Sequence, residues 1–344
     1  MATLRKQSEK IRQFILANVV RHPNDIANFT AKEFAISRQA INKHIHALVE
    51  QNLLLVQGST RNKAYSLRPL EEFKFAYDLT KSLEEDAVWR NDISPKLGQL
   101  PDNVINIWNY GFTEMLNNAI EHSSGSKITI WVQKTAADIV IVIYDNGEGI
   151  FKKIQREMEL GDERHAVLEL SKGKLTTDPK NHTGEGIFFS SRMFDHFAII
   201  SGNVAFSHTH DRREDWIWEH QESSTGTGVY MKLNSHTPRT TKQIFDKFTS
   251  DDEEYGFTKT VVPVRLAQYG NENLVSRSQA KRLLSRVERF KVVIFDFEGV
   301  EEIGQAFADE IFRVFASQHP HLELLHTNAN KTVSQMISRA KSNL

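Results

Sequence analysis

Apolar residues in the first part of the chain recur with the period of a helix. In residues 7–20 they fall at positions i, i+3, i+4 and i+8, which predicts a first helix. Thr30 begins the sequence T-A-K-E, whose first and last residues match a capping box, so we expect a short second helix to start there. Ser37 is the expected N-cap of a third helix, because apolar positions spaced three and four residues apart follow it.

The third predicted helix has a polar face, and a basic turn follows it. Two short apolar runs, residues 53–57 and 64–67, flank that turn as in a hairpin. Three helices followed by a basic hairpin resemble a winged helix-turn-helix domain, here over residues 1–68. The resemblance implies that the third helix enters the major groove of DNA while turn cations meet phosphates. A helical module for dimerisation or protein contacts is the alternative. The candidate DNA-contacting residues are Arg38, Gln39, Asn42, Lys43, Arg61 and Lys63.

The middle of the chain begins with a segment that we expect to connect two domains. Residues 69–100 mix apolar and charged positions and are predicted to form a helical connector that packs at a dimer or interdomain seam. A long helix is predicted from Asp102 to His122, with its apolar residues on one stripe. Glu114 and Asn118 lie one turn apart on another face, where a carboxylate and an amide can jointly address a hydrated metal ion and a water molecule.

The pentapeptide G-E-G-I-F occurs twice after this helix, in two different settings. The first copy follows Asp145 at the end of a predicted strand, and its residues Gly147 and Gly149 allow backbone to approach a ligand closely. The second copy contains Gly184 and Gly186 and opens a predicted helix, whose free amides and dipole favour phosphate. We therefore interpret the two copies as two walls of one site and not as a structural repeat.

Four motifs in this order resemble the GHKL ATPase superfamily, which includes DNA gyrase, histidine kinases and anti-sigma-factor kinases. The motifs are E-M-L-N-N-A-I-E-H, D-N-G-E-G, G-E-G-I-F and G-T-G-V, and they predict a GHKL (Bergerat) α/β sandwich at residues 101–240. The resemblance implies that the ligands are ATP and Mg2+. Asn118 would hold the Mg2+ against the triphosphate, and Glu114 would be the general base that activates the attacking water.

The same resemblance implies roles for the other motif residues. Asp145 would accept a hydrogen bond from the adenine amino group, Gly149 would pack close to the base, and Thr227 would support the water network beside it. The amides of Gly184 and Gly186 would contact the phosphates from a lid at about residues 151–183. A lysine of that lid could reach the γ-phosphate, and the candidates are Lys172, Lys174 and Lys180.

The identity of Glu114 bears on the type of reaction. Many histidine kinases have Asn at this motif position, whereas ATP hydrolases and anti-sigma-factor kinases have Glu. The sequence also has no phosphoacceptor-histidine segment before the long helix. A histidine autokinase is therefore disfavoured, while hydrolysis of ATP and transfer of phosphate to a Ser or Thr of another protein both remain open.

The last part of the chain alternates strands and helices. This order over residues 250–344 predicts a small α/β layer domain. Residues 291–315 resemble the centre of STAS-like domains, which are related to anti-anti-sigma factors. Phosphorylatable members have a Ser or Thr at the turn before the second helix, but here the turn reads I-G-Q-A-F-A-D. We therefore expect a module for interaction with a protein partner or for self-association.

Composition limits the class of protein. The chain has 344 residues, 40% hydrophobic and 25% charged, with no cysteine and no apolar run long enough for a membrane helix. We therefore expect a globular protein of the reducing cytoplasm. Residues 1–68 hold 11 basic and four acidic residues, a charge of +7 within a total of −1, which favours a polyanion partner for this segment.

These observations predict an α/β multidomain protein, with a winged helix, a GHKL domain and a STAS-like domain in that order. The expected function is a DNA-binding regulator switched by an ATP-Mg site. Two alternatives remain, an anti-sigma-type Ser/Thr protein kinase and a nucleotide-binding scaffold without hydrolysis.

Overall fold

The computed structural model describes residues 2–59, 62–79, 83–175, 183–210, 214–249, 256–268 and 272–342. It has the predicted multidomain α/β architecture, in which a helical segment, a five-stranded sheet with helices and a small parallel sheet follow one another along the chain. Within these ranges, no helix is both long and apolar enough to cross a membrane.

The first segment has its own apolar core, built from three helices and a hairpin. The elements are α1 (Ala2–Asn18), α2 (Ile26–Phe34), α3 (Arg38–Glu50), β1 (Leu54–Gln57) and β2 (Ala64–Leu67). The expected cap of α3 is confirmed, since the Ser37 hydroxyl accepts a hydrogen bond from the Ala40 amide at 3.2 Å. The predicted start of the second helix at Thr30 is wrong. Thr30 lies fully buried inside α2, where its side chain packs on the core and does not cap a helix end.

The central sheet is antiparallel throughout, in the order β3-β4-β5-β7-β6. Its strands are β3 (Glu71–Asp78), β4 (Lys127–Lys134), β5 (Asp138–Asp145), β6 (His196–Thr209) and β7 (Glu214–Asn234). The long β6–β7 hairpin brings the G-T-G-V motif alongside the end of β5. The end of β5, which leads into D-N-G-E-G, and the G-T-G-V motif of β7 therefore lie next to each other in the sheet.

The prediction of a helical connector over residues 69–100 is wrong for its first half, which forms strand β3. Residues 69–100 are helical only in their second half, at α4 (Glu85–Val88), a π-helical turn (Trp89–Ile93) and α5 (Ser94–Leu97). In the first half, half-buried aromatic side chains alternate with exposed residues, which is the two-residue period of a strand with one covered face. The edge of β4 supplies the hydrogen-bond partner that makes this segment a strand.

Helices cover one face of the central sheet. The long helix α6 (Asp102–His122) has the predicted bounds, and its predicted stripe of apolar residues is buried. The remaining helices of this layer are α7 (Ile150–Glu157), α8 (Glu163–Lys172), α9 (Gly186–Met193) and α10 (Thr241–Lys247). The region expected to be a lid, at about residues 151–183, contains α7 and α8, which were not predicted because the region is polar.

The C-terminal segment forms the expected alternation of strands and helices around a parallel sheet in the order β10-β9-β8. Its apolar core is continuous with the core of the central segment, so the two segments pack as one body. The elements are β8 (Lys259–Pro263), α11 (Arg277–Leu284), β9 (Val292–Asp296), α12 (Gln305–Asp309), α13 (Ala316–Gln318), β10 (Glu323–Thr327) and α14 (Lys331–Lys341).

Candidate functional site

A cavity of about 340 Å³ lies between α6, the end of β5, the middle of β7 and the start of α9. Its volume is within the range of small-molecule sites. Gly147 and Gly149 of the first G-E-G-I-F copy do not line the cavity, although the next residue, Ile150, does. The structure brings six of the predicted site residues to its wall, namely Glu114, Asn118, Asp145, Gly184, Gly186 and Thr227.

Helix α6 supplies a polar ridge to the cavity. Glu114 and Asn118 are four residues apart, so both side chains project from the same side of the helix toward the cavity. Asn117 and His122 line the cavity as well and were not predicted. The opposite stripe of α6 is buried against the core, which fixes the rotation of the helix and therefore the direction of the ridge.

Asp145 is held in place at the end of β5 by the adjacent strand β7 and by the turn that follows it. It is the last residue of β5 and is paired in register with Thr227 of β7. The Gly147 amide donates to its Oδ1 at 2.8 Å, and the Thr227 hydroxyl accepts from the Ile150 amide at 3.0 Å. Burial raises the pKa of Asp145, while hydrogen bonds from Gly147 and Thr227 oppose that rise. A buried carboxylate with a neighbouring hydroxyl can recognise a hydrogen-bond donor on a ligand.

The start of α9 closes the cavity opposite α6. A Cβ atom added to Gly186 would lie 2.0 Å from Oε2 of Glu114, so a larger residue here would displace the Glu114 carboxylate. At the other end of α9, Arg192 forms a buried ion pair with Asp215 of β7 at 3.0 Å. The helix is thereby held with its N-terminus, and the amides there, directed at the cavity.

The wall of the cavity carries more negative than positive charge. Burial, together with the negative charges of Glu114 and Glu185, raises the pKa of Tyr110 beside them. Among the described residues of the wall, Lys153 is the one lysine or arginine, and its Nζ donates to the His122 carbonyl at 2.9 Å. Lys153 was not among the predicted site residues, although its place one turn into the helix after D-N-G-E-G could have suggested it.

Two of the three candidate lid lysines point away from the cavity. The Nζ of Lys172 bonds to Glu169 and to the carbonyls of Arg282 and Ser285, and that of Lys174 bonds to the Arg289 carbonyl. Neither lysine lines the cavity, whose wall includes the nearby Leu170 and Leu175. The expectation that either one contacts a γ-phosphate is therefore not met in this structure. The third candidate, Lys180, lies outside the described residues.

The candidate DNA-contacting residues lie on α3 and on the hairpin, far along the chain from the cavity. The residues Arg38, Gln39 and Lys43 are exposed, whereas Asn42 and Lys63 are half-buried. Arg61 lies outside the described residues. The opposite face of α3 is buried in the small N-terminal core.

Comparison with known proteins agrees with this architecture. A family model described as a histidine kinase-like ATPase domain matches residues 92–205. A second, described as a STAS-like domain of unknown function (DUF4325), matches residues 279–334. No curated protein matches the chain. The chain thus contains a histidine kinase-like ATPase domain followed by a STAS-like domain, which confirms the two resemblances found in the sequence.

The residues around the cavity fit a magnesium nucleotide. The amide oxygen of Asn118 is a hard oxygen donor of the kind that Mg2+ prefers, and the carboxylate of Glu114 on the same side of the helix can accept a proton from water. Gly184, Glu185 and Gly186 line the cavity at the N-terminus of α9, where backbone amides and the helix dipole favour an anion. Because the wall is acidic, a free triphosphate would be repelled, and a bound divalent cation would offset that repulsion.

Proposed function

We propose that this chain binds ATP-Mg in the cavity and hydrolyses it slowly, and that it belongs to a DNA-binding regulator. The observation that carries the proposal is the convergence of Glu114, Asn118, Asp145, Thr227 and the N-terminus of α9 on one cavity. These residues come from four separate elements. Chance turns would not be expected to place a metal ligand with a neighbouring base, a buried acceptor and an anion-binding helix start around one space.

Each part of the wall has a separate task in this proposal. Asp145 accepts from the adenine amino group, and Thr227 orients water beside it. The amides at the start of α9 bind the terminal phosphates, while Asn118 holds the cation. Glu114 takes the proton of the attacking water. The Mg2+, when bound, screens the phosphate charge and makes the γ-phosphoryl group more electrophilic.

Two substitutions on α6 test the nucleotide site in the full chain. Asn118→Ala should weaken ATP-Mg binding, measured by calorimetry, by at least about tenfold, since the cation loses its amide ligand. Glu114→Gln should keep the affinity and lower turnover about 10²–10⁴-fold, the usual size of a general-base effect. Asn109→Ala, on an exposed position of the same helix, is the matched control. Wild-type affinity in Asn118→Ala would contradict the proposal.

The destination of the phosphate separates hydrolysis from its alternatives. The full chain is incubated with γ-labelled ATP, with and without candidate protein partners. Free labelled phosphate in both samples supports the ATPase. Label on a partner's Ser or Thr supports the anti-sigma-type kinase, and bound but unreacted ATP supports the scaffold.

DNA binding by residues 1–68 is the second part of the proposal. Its support is the net charge of +7 in this segment together with the exposed polar face of α3. A helix of this kind fits the major groove, and its cations can meet phosphates. The remaining protein carries the compensating negative charge, which favours contact with DNA through this segment alone.

Full-length protein with Arg38→Ala and Lys43→Ala tests this part. The double variant should bind duplex DNA more weakly and reduce the slope of log K against log salt by about 1 for each DNA phosphate that the protein no longer neutralises. Lys32→Ala, an exposed cation on α2, is the control for charge alone. Failure of the wild-type chain to bind any duplex at low salt would remove DNA from the proposal.

A further inference from the structure

The C-terminal domain holds one wall of the cavity by its backbone. That wall is the segment of residues 170–175, of which Leu170 and Leu175 face the cavity. Thr260 of β8 is fully buried, and its hydroxyl donates to the Lys172 carbonyl at 2.6 Å. A threonine from a different domain therefore satisfies the last carbonyl of α8, which would otherwise lack an intrahelical partner.

A second attachment lies two residues further along. Lys174 and Arg289 exchange hydrogen bonds, in which each side chain donates to the backbone carbonyl of the other, at 3.1 and 3.0 Å. The Lys174 ammonium also lies 5.0 Å from the centre of the Phe290 ring. Hydrogen bonds and a ring contact thus tie the end of α8 to the C-terminal domain.

The tethered segment contacts the predicted phosphate-binding turn directly. The Leu175 amide donates to the Gly184 carbonyl at 3.1 Å. Gly184 packs so closely on Leu175 that an added Cβ would lie 2.5 Å from its carbonyl carbon. The helix that follows this turn also packs on the C-terminal domain, since the rings of Phe188 and Phe257 lie 4.6 Å apart. Displacement of the C-terminal domain would therefore move the turn.

We propose that the C-terminal STAS-like domain is a positioning element for the nucleotide site, and that Thr260 and Arg289 are its positioning residues. They act through residues 172–175, which set the place of Gly184 and of the amides at the start of α9. The inference rests on the proposed nucleotide binding and adds its regulation. Because coupling is reciprocal, bound nucleotide also strengthens the attachment of the C-terminal domain, and whatever loosens that attachment weakens nucleotide binding.

The test uses the full chain and two independent variants. Thr260→Val keeps the shape of the side chain but removes the donated hydrogen bond, and Arg289→Ala removes a donor from an exposed position whose loss does not threaten folding. Each should weaken ATP-Mg binding about tenfold, the effect of one such hydrogen bond. Turnover at saturating ATP should stay near that of the wild type, because Glu114 and Asn118 are untouched.

Conservative variants separate positioning from general damage. Thr260→Ser and Arg289→Lys retain donors and should restore most of the affinity. Arg313→Ala, which breaks an ion pair with Asp309 elsewhere in the same domain, should bind as the wild type does. Affinities of Thr260→Val and Arg289→Ala within twofold of the wild type would overturn the proposal, as would equal losses in the two conservative variants.

Hydrogen exchange without nucleotide gives a readout that does not depend on the proposed function. In Thr260→Val, peptides over residues 170–175 and 184–187 should exchange faster, because the Leu175 amide bond to Gly184 opens more often, while α6 should be unchanged. If the wild type binds no nucleotide, the proposed function fails, and exchange alone then decides the attachment. Unchanged exchange at residues 170–175 and 184–187 would overturn the positioning role.

Discussion

The buried ion pair of Lys172 and Glu169 gives a quantitative test of how the C-terminal domain is attached. The two side chains are only 2% and 1% exposed and meet at 2.7 Å. Lys172→Met keeps most of the volume but leaves a buried carboxylate without its partner. Breaking a buried pair in this way costs about 3–5 kcal/mol of unfolding free energy. His165 lies 3.5 Å from the same carboxylate oxygen and stays there when Lys172 is replaced, so we expect a loss toward the lower end of this range.

A double substitution separates the two contributions. Glu169→Leu combined with Lys172→Met removes the uncompensated charge, so stability should partly return. The carbonyls of Arg282 and Ser285 still lack the donor that Lys172 supplied, which leaves a cost of about 1–3 kcal/mol. Lys281→Met removes an exposed cation on α11 and should stay within about 0.5 kcal/mol of the wild type.

Urea unfolding of the nucleotide-free full chain, followed by circular dichroism, measures these differences. A fall in the midpoint with an unchanged slope indicates a true loss of stability. The reasoning would be refuted by a loss below about 1 kcal/mol in Lys172→Met. It would also be refuted if the double variant were no more stable than the single one, since the cost would then not arise from the buried charge.

Three further predictions concern other parts of the fold. Gly149 has φ +91°, and an added Cβ would lie 2.6 Å from the Ser201 hydroxyl. Gly149→Ala should therefore lower the free energy of unfolding by about 1–3 kcal/mol and weaken nucleotide binding. Gly161→Ala, where the added Cβ meets open space, is the control and should have neither effect. Burial lowers the pKa of His208 from 6.5 to about 4, so the neutral ring stabilises the fold fully above pH 6.5. Up to about 3 kcal/mol should be lost as the pH falls from 6.5 to 4, and urea titrations of His208→Gln should lack this loss. Tyr77→Phe removes a 2.8 Å hydrogen bond to Asp92 and should lower the melting temperature by a few degrees, with an unchanged melting temperature as the contrary result.

Elements whose signals are local and repeated could be predicted from the sequence. Helix α6 has the predicted bounds because its apolar residues keep the helical spacing over 21 residues, which does not fit the two-residue period of a strand. The N-cap at Ser37 was also correct, because capping depends on neighbours three residues away. The motif residues that meet at the cavity were identified through the resemblance to the GHKL superfamily, which rests on four motifs in a fixed order. The spacing within any one motif would not have been enough.

How the segments join depends on contacts between residues that are far apart in the sequence. Residues 71–78 became a strand because β4 offers an unpaired edge, which is a contact that the connector's own composition does not reveal. Lys172 has the sequence context of a solvated lid lysine, yet the C-terminal domain buries it and supplies two carbonyl acceptors more than 100 positions away. Burial and hydrogen-bond partners at that distance depend on how domains dock, and the local periodicity of a chain carries no information about docking.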